Sequence, residues 1–323
     1  MIHWTKTAFV FPGQGSQLVG MGADFAAAYP VARQVFEQAD SLMGWAFSRV
    51  MFDGPEDRLN DTAMTQPALY VSSIAMLRAL QQELPDAHPA FYAGHSLGEF
   101  TALTAAGALA FEDGLRLVIR RAELMRDAGQ HSPGAMAAVL GLDAAAVRDI
   151  CQQASAQTGG ALVLANDNCP GQVVISGDMT TLDVSIPLLT AAGAKRAVKL
   201  AVSVAAHSPL MASAASAFVK AVQETPFTTP QVPVIANVSA KPLESVMDIR
   251  LELQDQLTQA VRWTESIEHM VAEGCALFVE IGAGDVLSGL IKRINRTASR
   301  ATVNSVDALH KLVTQARLPS DED

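Results

Sequence analysis

The pentapeptide Gly94-His95-Ser96-Leu97-Gly98 fits G-x-S-x-G, the pattern of a serine raised on a sharp turn between a strand and a helix. A serine held that way is a nucleophile, and the chemistry it serves is acyl transfer through an ester on its hydroxyl. The two glycines have a steric reason, since a strained turn needs neighbours without side chains. The flanks agree. Ala90-Phe91-Tyr92-Ala93 is short, apolar and aromatic, as a buried strand is, and Glu99 to Ala106 reads as a helix. A chance match in a glycine-containing turn is the competing reading, and the flanks weigh against it.

A serine hydroxyl needs a base, and histidine suits neutral pH. Of the seven histidines, His95 adjoins the serine but points away from it in an elbow. His3, His88, His131, His269 and His310 lie in polar, surface-like contexts. His207 stands apart. It follows the apolar segment Leu200 to Ala206 and precedes a helix start at Ser208-Pro209, whose positive end favours a neutral, proton-accepting imidazole. Taken alone, the residue reads better as a histidine satisfied by packing.

Arg121 is the third candidate. Counting about 100° per residue, it falls beside the stripe of Leu115, Val118, Ile119, Ala122 and Met125, whereas Arg120 faces the opposite way. An inward guanidinium near a serine nucleophile can hold a carboxylate with two parallel hydrogen bonds. The competing reading is a side chain that covers the helix edge with its charge in water. Phe11-Pro12-Gly13-Gln14-Gly15-Ser16-Gln17 lacks the lysine and the spacing of a phosphate-binding loop. After a strand, such a turn can instead aim a backbone N–H at an oxyanion, beside the N–H of Leu97. Gly282-Ala283-Gly284 reads as a strand-to-helix turn only.

These groups need a fold large enough to hold them. In 323 residues, half of them hydrophobic, there is material for one large domain, or one plus a smaller one. Alanine-rich stretches predict more helix than strand. Residues 5 to about 128 read as strand, loop and several helices. The Ser96 strand lies near the middle, as in an α/β domain whose site is at a strand's carboxyl end. The clearest helix runs from Glu112 to Ala128.

Residues 130–202 then give a strand at Met136 to Leu142, a helix from Asp143 to Ala156, and strands at Ala161 to Ala165 and Gln172 to Ser176. Another helix and a strand at Arg196 to Val202 follow. That β-α-β-β-α-β order is the ferredoxin-like pattern and predicts a small inserted domain, with the large domain formed by 1–129 and 203–323. Beyond it come a helix from Ser208-Pro209 to about Val222, strands at Val232 to Val238 and Gly274 to Ile281, and a polar tail, Pro319 to Asp323, expected to be disordered.

Composition removes several classes. A formal net charge of −10 argues against nucleic acid as a partner. Three widely spaced cysteines fit neither a disulfide framework nor a zinc site, and a reducing cytoplasm is the expected setting. No export leader is apparent, and the uncharged run Leu200 to Val219 contains His207, Pro209 and several serines, so no membrane span is expected.

Across most of its length the chain resembles the malonyl-CoA:acyl carrier protein transacylases, acyltransferases of fatty-acid and polyketide synthesis. The segments are Phe9 to Gln17, Thr65-Gln66-Pro67-Ala68, Gly94 to Glu99, Arg121, Asn166 to Gly177 and Ser203 to Met211, in that order. The resemblance implies an α/β-hydrolase-like large domain with a ferredoxin-like small one. It implies Ser96 as the acylated residue, His207 as its base and Arg121 as the group that binds the malonyl carboxylate. It further implies Gln14 and Leu97 as the oxyanion hole, the Gln256 carbonyl as orienter of the histidine, and Gln66 and Asn166 as substrate-binding residues.

The implied substrate is malonyl-CoA and the implied partner an acyl carrier protein, with no tightly bound cofactor and no metal. A basic patch from Lys195, Arg196, Lys199, Lys292 and Arg293 is expected to receive the acidic carrier. Ala206 stands where many malonyl-specific members carry phenylalanine or serine, which leaves acyl selectivity open. A service in malonate decarboxylation or polyketide assembly, an acyl-enzyme hydrolase and a non-catalytic binding module are the alternatives.

Overall fold

The computed structural model describes residues 2–202 and 204–318. The predicted tail Pro319 to Asp323 lies outside them. Ten strands form two sheets. In chain order they are β1 (Thr7–Phe11), β2 (Phe91–Gly94), β3 (Gly134–Leu140), β4 (Leu162–Cys169), β5 (Gln172–Asp178), β6 (Arg196–Lys199), β7 (Val234–Ile235), β8 (Pro242–Leu243), β9 (Leu277–Ile281) and β10 (Ser299–Val303).

The larger sheet has the order β10-β9-β1-β2-β7-β8 and is parallel except for the β7–β8 pair. Its central strand, Thr7–Phe11, is buried at every position, as expected of a strand covered on both faces. Phe11 pairs with Gly94, so the Pro12-Gly13-Gln14 loop and the Ser96 turn leave the same sheet edge side by side. The chain runs from β1 to β2 and β7 on one side and returns to β9 and β10 on the other, which puts that edge at a topological switch point.

Helix Thr62–Glu83 lies against the sheet and is buried nearly all round through Leu80. Helix Phe111–His131 packs on it through Leu115, Val118, Ala122 and Met125, and extends one residue before and three beyond the predicted Glu112 to Ala128. Arg120 is half-exposed on its outer face.

The smaller sheet is antiparallel with the order β4-β5-β3-β6, and its elements follow β-α-β-β-α-β, with helices Ala144–Thr158 and Met179–Ala191. Ala137, Val139, Val173 and Ile175 face those helices. Met136 and Val174 alternate onto the other face, which looks toward the larger sheet's loops. Register shifts at Leu164/Asn166 and Asp167/Cys169 bend β4, which continues four residues past the predicted Ala165 and carries Asn166 and Asn168 to the junction. There Val261 N–H donates to Ala165 O at 2.9 Å, and Asp167 N–H donates to Val261 O at 2.9 Å.

Four predicted elements come out smaller, among them Gly274 to Ile281, which keeps strand geometry only at Leu277–Ile281. The strand at Arg196 to Val202 ends at Lys199, and Val232 to Val238 keeps strand geometry only at Val234–Ile235. Ser208-Pro209 opens a three-residue 3₁₀ turn, Pro209–Met211, and the α-helix proper begins at Ala212. Apolar content marked these stretches, whereas pairing partners decide where a strand stops. Among the described residues no helix is long and apolar enough to cross a membrane. No group of three or more His, Cys, Asp or Glu among them is arranged to hold a metal ion.

Candidate active site

Ser96 has φ 50°, a left-handed conformation that a non-glycine residue adopts only at a cost of about 1–2 kcal/mol. The glycines beside it permit the turn. A Cβ on Gly94 would lie 1.9 Å from Gly98 backbone, and one on Gly98 would lie 2.1 Å from Phe11 O, so the helix Gly98–Ala105 starts directly against β1 and β2. The Ser96 peptide is clamped at both ends. Its N–H donates to Asn237 Oδ1 at 2.6 Å, and its carbonyl accepts from Gln256 Nε2 at 3.0 Å.

His207 reaches the serine across the chain, with Ser96 Oγ donating to His207 Nε2 at 2.8 Å. On its other side His207 Nδ1–H donates to the carbonyls of Gln256 at 2.7 Å and Gln259 at 3.2 Å. Carbonyls only accept, so the proton sits on Nδ1 and Nε2 is free to take one. Burial pushes the imidazole pKa from 6.5 down to about 3, with the Arg121 charge acting in the same direction. The helix-end effect anticipated from sequence is not the main cause, because a 3₁₀ turn intervenes before the α-helix.

Arg121 is fully buried. Its Nη2 donates to Ser96 Oγ at 3.0 Å and to Gln256 Oε1 at 3.0 Å, its Nε to the same oxygen at 3.2 Å, and its Nη1 to Gln66 Oε1 at 2.6 Å. The side chain is therefore not a snorkelling helix-edge residue. Every partner is neutral, and desolvation lowers the guanidinium pKa to about 10. It stays charged at neutral pH with no carboxylate paired to it among the described residues.

These groups line a cavity of about 360 Å³ between the two sheets, with Gln14, Gln66, Leu97, Asn166 and Asn168 on its polar side. Met125, Met136, Val174, Val202, Val204 and Ala206 make its apolar side. Among the described residues neither the Gln14 nor the Leu97 N–H has a protein acceptor. The cavity is thus lined by seven of the eight site residues named from sequence, and the eighth, Gln256, lies behind Arg121 and His207, hydrogen-bonded to both.

His95 turns from the serine to Asn168 Oδ1, 2.8 Å from its Nε2, and packs edge-on against Trp263. The expected basic patch is partly engaged: Lys199 Nζ pairs with Asp183 at 2.5 Å, and Arg293 donates to Gln172 at the cavity mouth.

Sequence reasoning missed Asn237, Glu99 and Glu252. Asn237 Nδ2 donates to Gly94 O at 2.7 Å, and its backbone N–H donates to Glu99 Oε1 at 3.0 Å. Glu99 also accepts from Gln256 Nε2 and is buried, as is Glu252. The available signal was Glu99 directly after the second glycine of the elbow, the single ionisable residue of helix Gly98–Ala105.

Residues 8–317 match the acyl transferase domain family. The chain is 40% identical over 317 residues to the malonyl CoA-acyl carrier protein transacylase of Bacillus subtilis, covering 98% of this chain and 99% of that one. An acyl carrier protein S-malonyltransferase from Vibrio cholerae superposes with a TM-score of 0.92 at 42% identity, over 95% of this chain and all of that one. A malonyl-transacylase solved in complex with its type II polyketide acyl carrier protein superposes with a TM-score of 0.93 at 41% identity, over 96% of this chain and all of that one.

Proposed function

The chain belongs to the acyl transferase domain family, and we propose that it moves a malonyl group from malonyl-CoA to the phosphopantetheine thiol of an acyl carrier protein through a malonyl-Ser96 ester. The observation that carries this reading is Ser96 Oγ between His207 Nε2 at 2.8 Å and Arg121 Nη2 at 3.0 Å. A base and a carboxylate clamp share the attacking atom.

In the first step Ser96 Oγ bonds to the thioester carbonyl carbon while its proton passes to His207 Nε2. The carbonyl oxygen becomes an oxyanion facing the N–H groups of Gln14 and Leu97. The carbon–sulfur bond then breaks, and His207 returns the proton to the departing CoA sulfur. In the second step the carrier's thiol gives its proton to His207 and attacks the ester, and Ser96 recovers its proton. A malonyl carboxylate lies two bonds beyond the carbonyl carbon, so Arg121 can hold it while Oγ attacks. Acetyl offers no such partner and leaves the buried charge uncompensated.

We further propose an α/β-hydrolase-like large domain, 1–129 with 203–323, and a ferredoxin-like small domain, 130–202. The strand orders of the two sheets support it. Asn166 and Gln66 contact substrate from opposite walls, and the acidic carrier docks near Lys195, Arg196, Lys292 and Arg293. The steps call on no metal or tightly bound cofactor, and the setting is cytoplasmic.

Intact-mass measurement after incubation with malonyl-CoA tests the reading. A malonyl adduct that persists alone and moves to carrier protein when this is added supports it. No adduct, or an adduct lost to water as fast without carrier as with it, overturns it in favour of a binding module or a hydrolase.

A further inference from the structure

Two buried carboxyls behind the nucleophile have no part in the steps above. Glu99 lies in the first turn of helix Gly98–Ala105, fully buried, and Glu252 lies in helix Val246–Asp255, 6% exposed. The N–H groups of consecutive residues bring them together, Asn237 N donating to Glu99 Oε1 at 3.0 Å and Val238 N to Glu252 Oε1 at 2.8 Å. Glu99 Oε1 accepts from Asn237 N at 3.0 Å, and its Oε2 accepts from Gln256 Nε2. Those are the two residues that clamp the Ser96 peptide, Asn237 at its N–H and Gln256 at its carbonyl. Gln256 also supplies the carbonyl for His207 and the amide oxygen for Arg121. One carboxyl therefore anchors a residue that contacts the nucleophile, the base and the clamp alike, Gln256, together with Asn237 at the nucleophile's N–H.

Resting on the malonyl-transfer reading, we propose that Glu99 is a positioning residue for acyl transfer: sharing one proton with Glu252, it holds Gln256 and Asn237 in place while remaining neutral toward Arg121. Two carboxylates brought together within an apolar interior cannot both ionise, so a proton stays between them. Glu252 accepts from Val238 N at 2.8 Å, and this charge-favouring donor suits it to carry the negative charge. Burial and the neighbouring Glu252 charge hold the Glu99 carboxyl well above the usual carboxylate range. The charged or titratable groups facing Glu99 are Glu252 from helix Val246–Asp255 and Arg121 from helix Phe111–His131. The β7 end contributes neutral Asn237, and the segment after helix Val246–Asp255 contributes neutral Gln256. A neutral Glu99 leaves the Arg121 charge for the substrate carboxylate. An ionised one would compete for it.

The test is the pH profile of kcat/KM for acylation by malonyl-CoA, from about pH 6 to about pH 10, in wild type, Glu99→Gln and Glu252→Gln. Wild type should lose activity on the alkaline side as the shared proton leaves. Glu252→Gln removes the anion that keeps Glu99 protonated, so this loss should move to lower pH by about one unit. Glu99→Gln should remove the part of the loss that precedes the one from Arg121 near pH 10, and reduce the neutral-pH value about tenfold, mainly in kcat, because Gln256 is held less well. An alkaline loss unchanged in both variants belongs to Arg121 and overturns the proposal. Unchanged kinetics with only a lowered melting temperature also overturns it. If Glu99→Gln does not fold, the direction of the Glu252→Gln shift decides. Wild type without any malonyl adduct would instead sink the transfer reading itself.

Discussion

The turns that carry Ser96 and His207 have nearly the same backbone strain, φ 50° and φ 57°, and are supported in opposite ways. At Ser96 the turn itself is made locally, with Asn237 and Gln256 clamping its peptide from afar: Gly94 and Gly98 allow strand, turn and helix to meet at distances that no Cβ would permit. His207 has alanine before it and serine after it, and it is fixed by carbonyls about fifty residues later in the chain. A nucleophile must be lifted out of its backbone, which short-range sterics can do. A base must be aimed and kept in one tautomer, which needs acceptors from another element. The local device leaves a motif in the sequence; the distant one leaves almost none.

Removing the functional atom of the local turn should have the largest effect. Ser96→Ala should abolish the malonyl adduct in intact-mass measurement while the circular dichroism spectrum stays native. An adduct of unchanged yield would place the nucleophile elsewhere.

Next comes the distant turn. His207→Ala should slow acylation by about 10²–10⁴, with residual activity rising with pH as hydroxide takes the base's place. In wild type the imidazole pKa of about 3 means the base is already free at neutral pH, so kcat/KM should show no acid-side loss centred near 6.5. Stability carries the opposite signature. The unfolded histidine takes up a proton near 6.5 and the folded one does not until about 3, so stability falls as pH drops through that window. His207→Ala should flatten this fall in melting temperature, and an equally steep fall in the variant would mean the imidazole is not buried neutral.

Arg121 draws on both turns, touching Ser96 Oγ and the Gln256 that orients His207. Arg121→Ala should compress the malonyl-over-acetyl ratio of kcat/KM by about 10–100-fold, the worth of a charge-assisted pair. The compression should come from both sides, with malonyl falling and acetyl rising. A ratio equal to wild type would make the arginine purely structural.

The smallest effect isolates the strain itself. Ser96→Gly removes the left-handed penalty at a half-buried position and should raise the melting temperature by about 1–3 °C, with activity lost. A lowered melting temperature would show that the serine's hydrogen bonds to His207 and Arg121 outweigh the strain.

Much of this was legible without coordinates. The elbow follows from two glycines around a serine between an apolar strand and a helix, and the inward Arg121 follows from counting around helix Phe111–His131. The β-α-β-β-α-β order of the smaller sheet is a succession of alternating and helical periods that a chain carries in itself. The strands that shrank, β6, β7 and β9, were those whose length depends on a neighbouring strand.

What tertiary structure alone decided lies between segments. Sequence pattern cannot place Asn237, Glu252 and Gln256 behind residue 96, because their separations of more than 140 residues are closed only by the packing of β7 and helix Val246–Asp255 against the elbow helix. Sequence also could not say that His207 is neutral chiefly because it is buried, or that Arg121 has only neutral partners. Both are properties of what surrounds a group after folding, since desolvation and the charges within a few ångströms set its ionisation. The chain's own order supplies the residues proposed as nucleophile, base and clamp, and the packed interior sets their protonation.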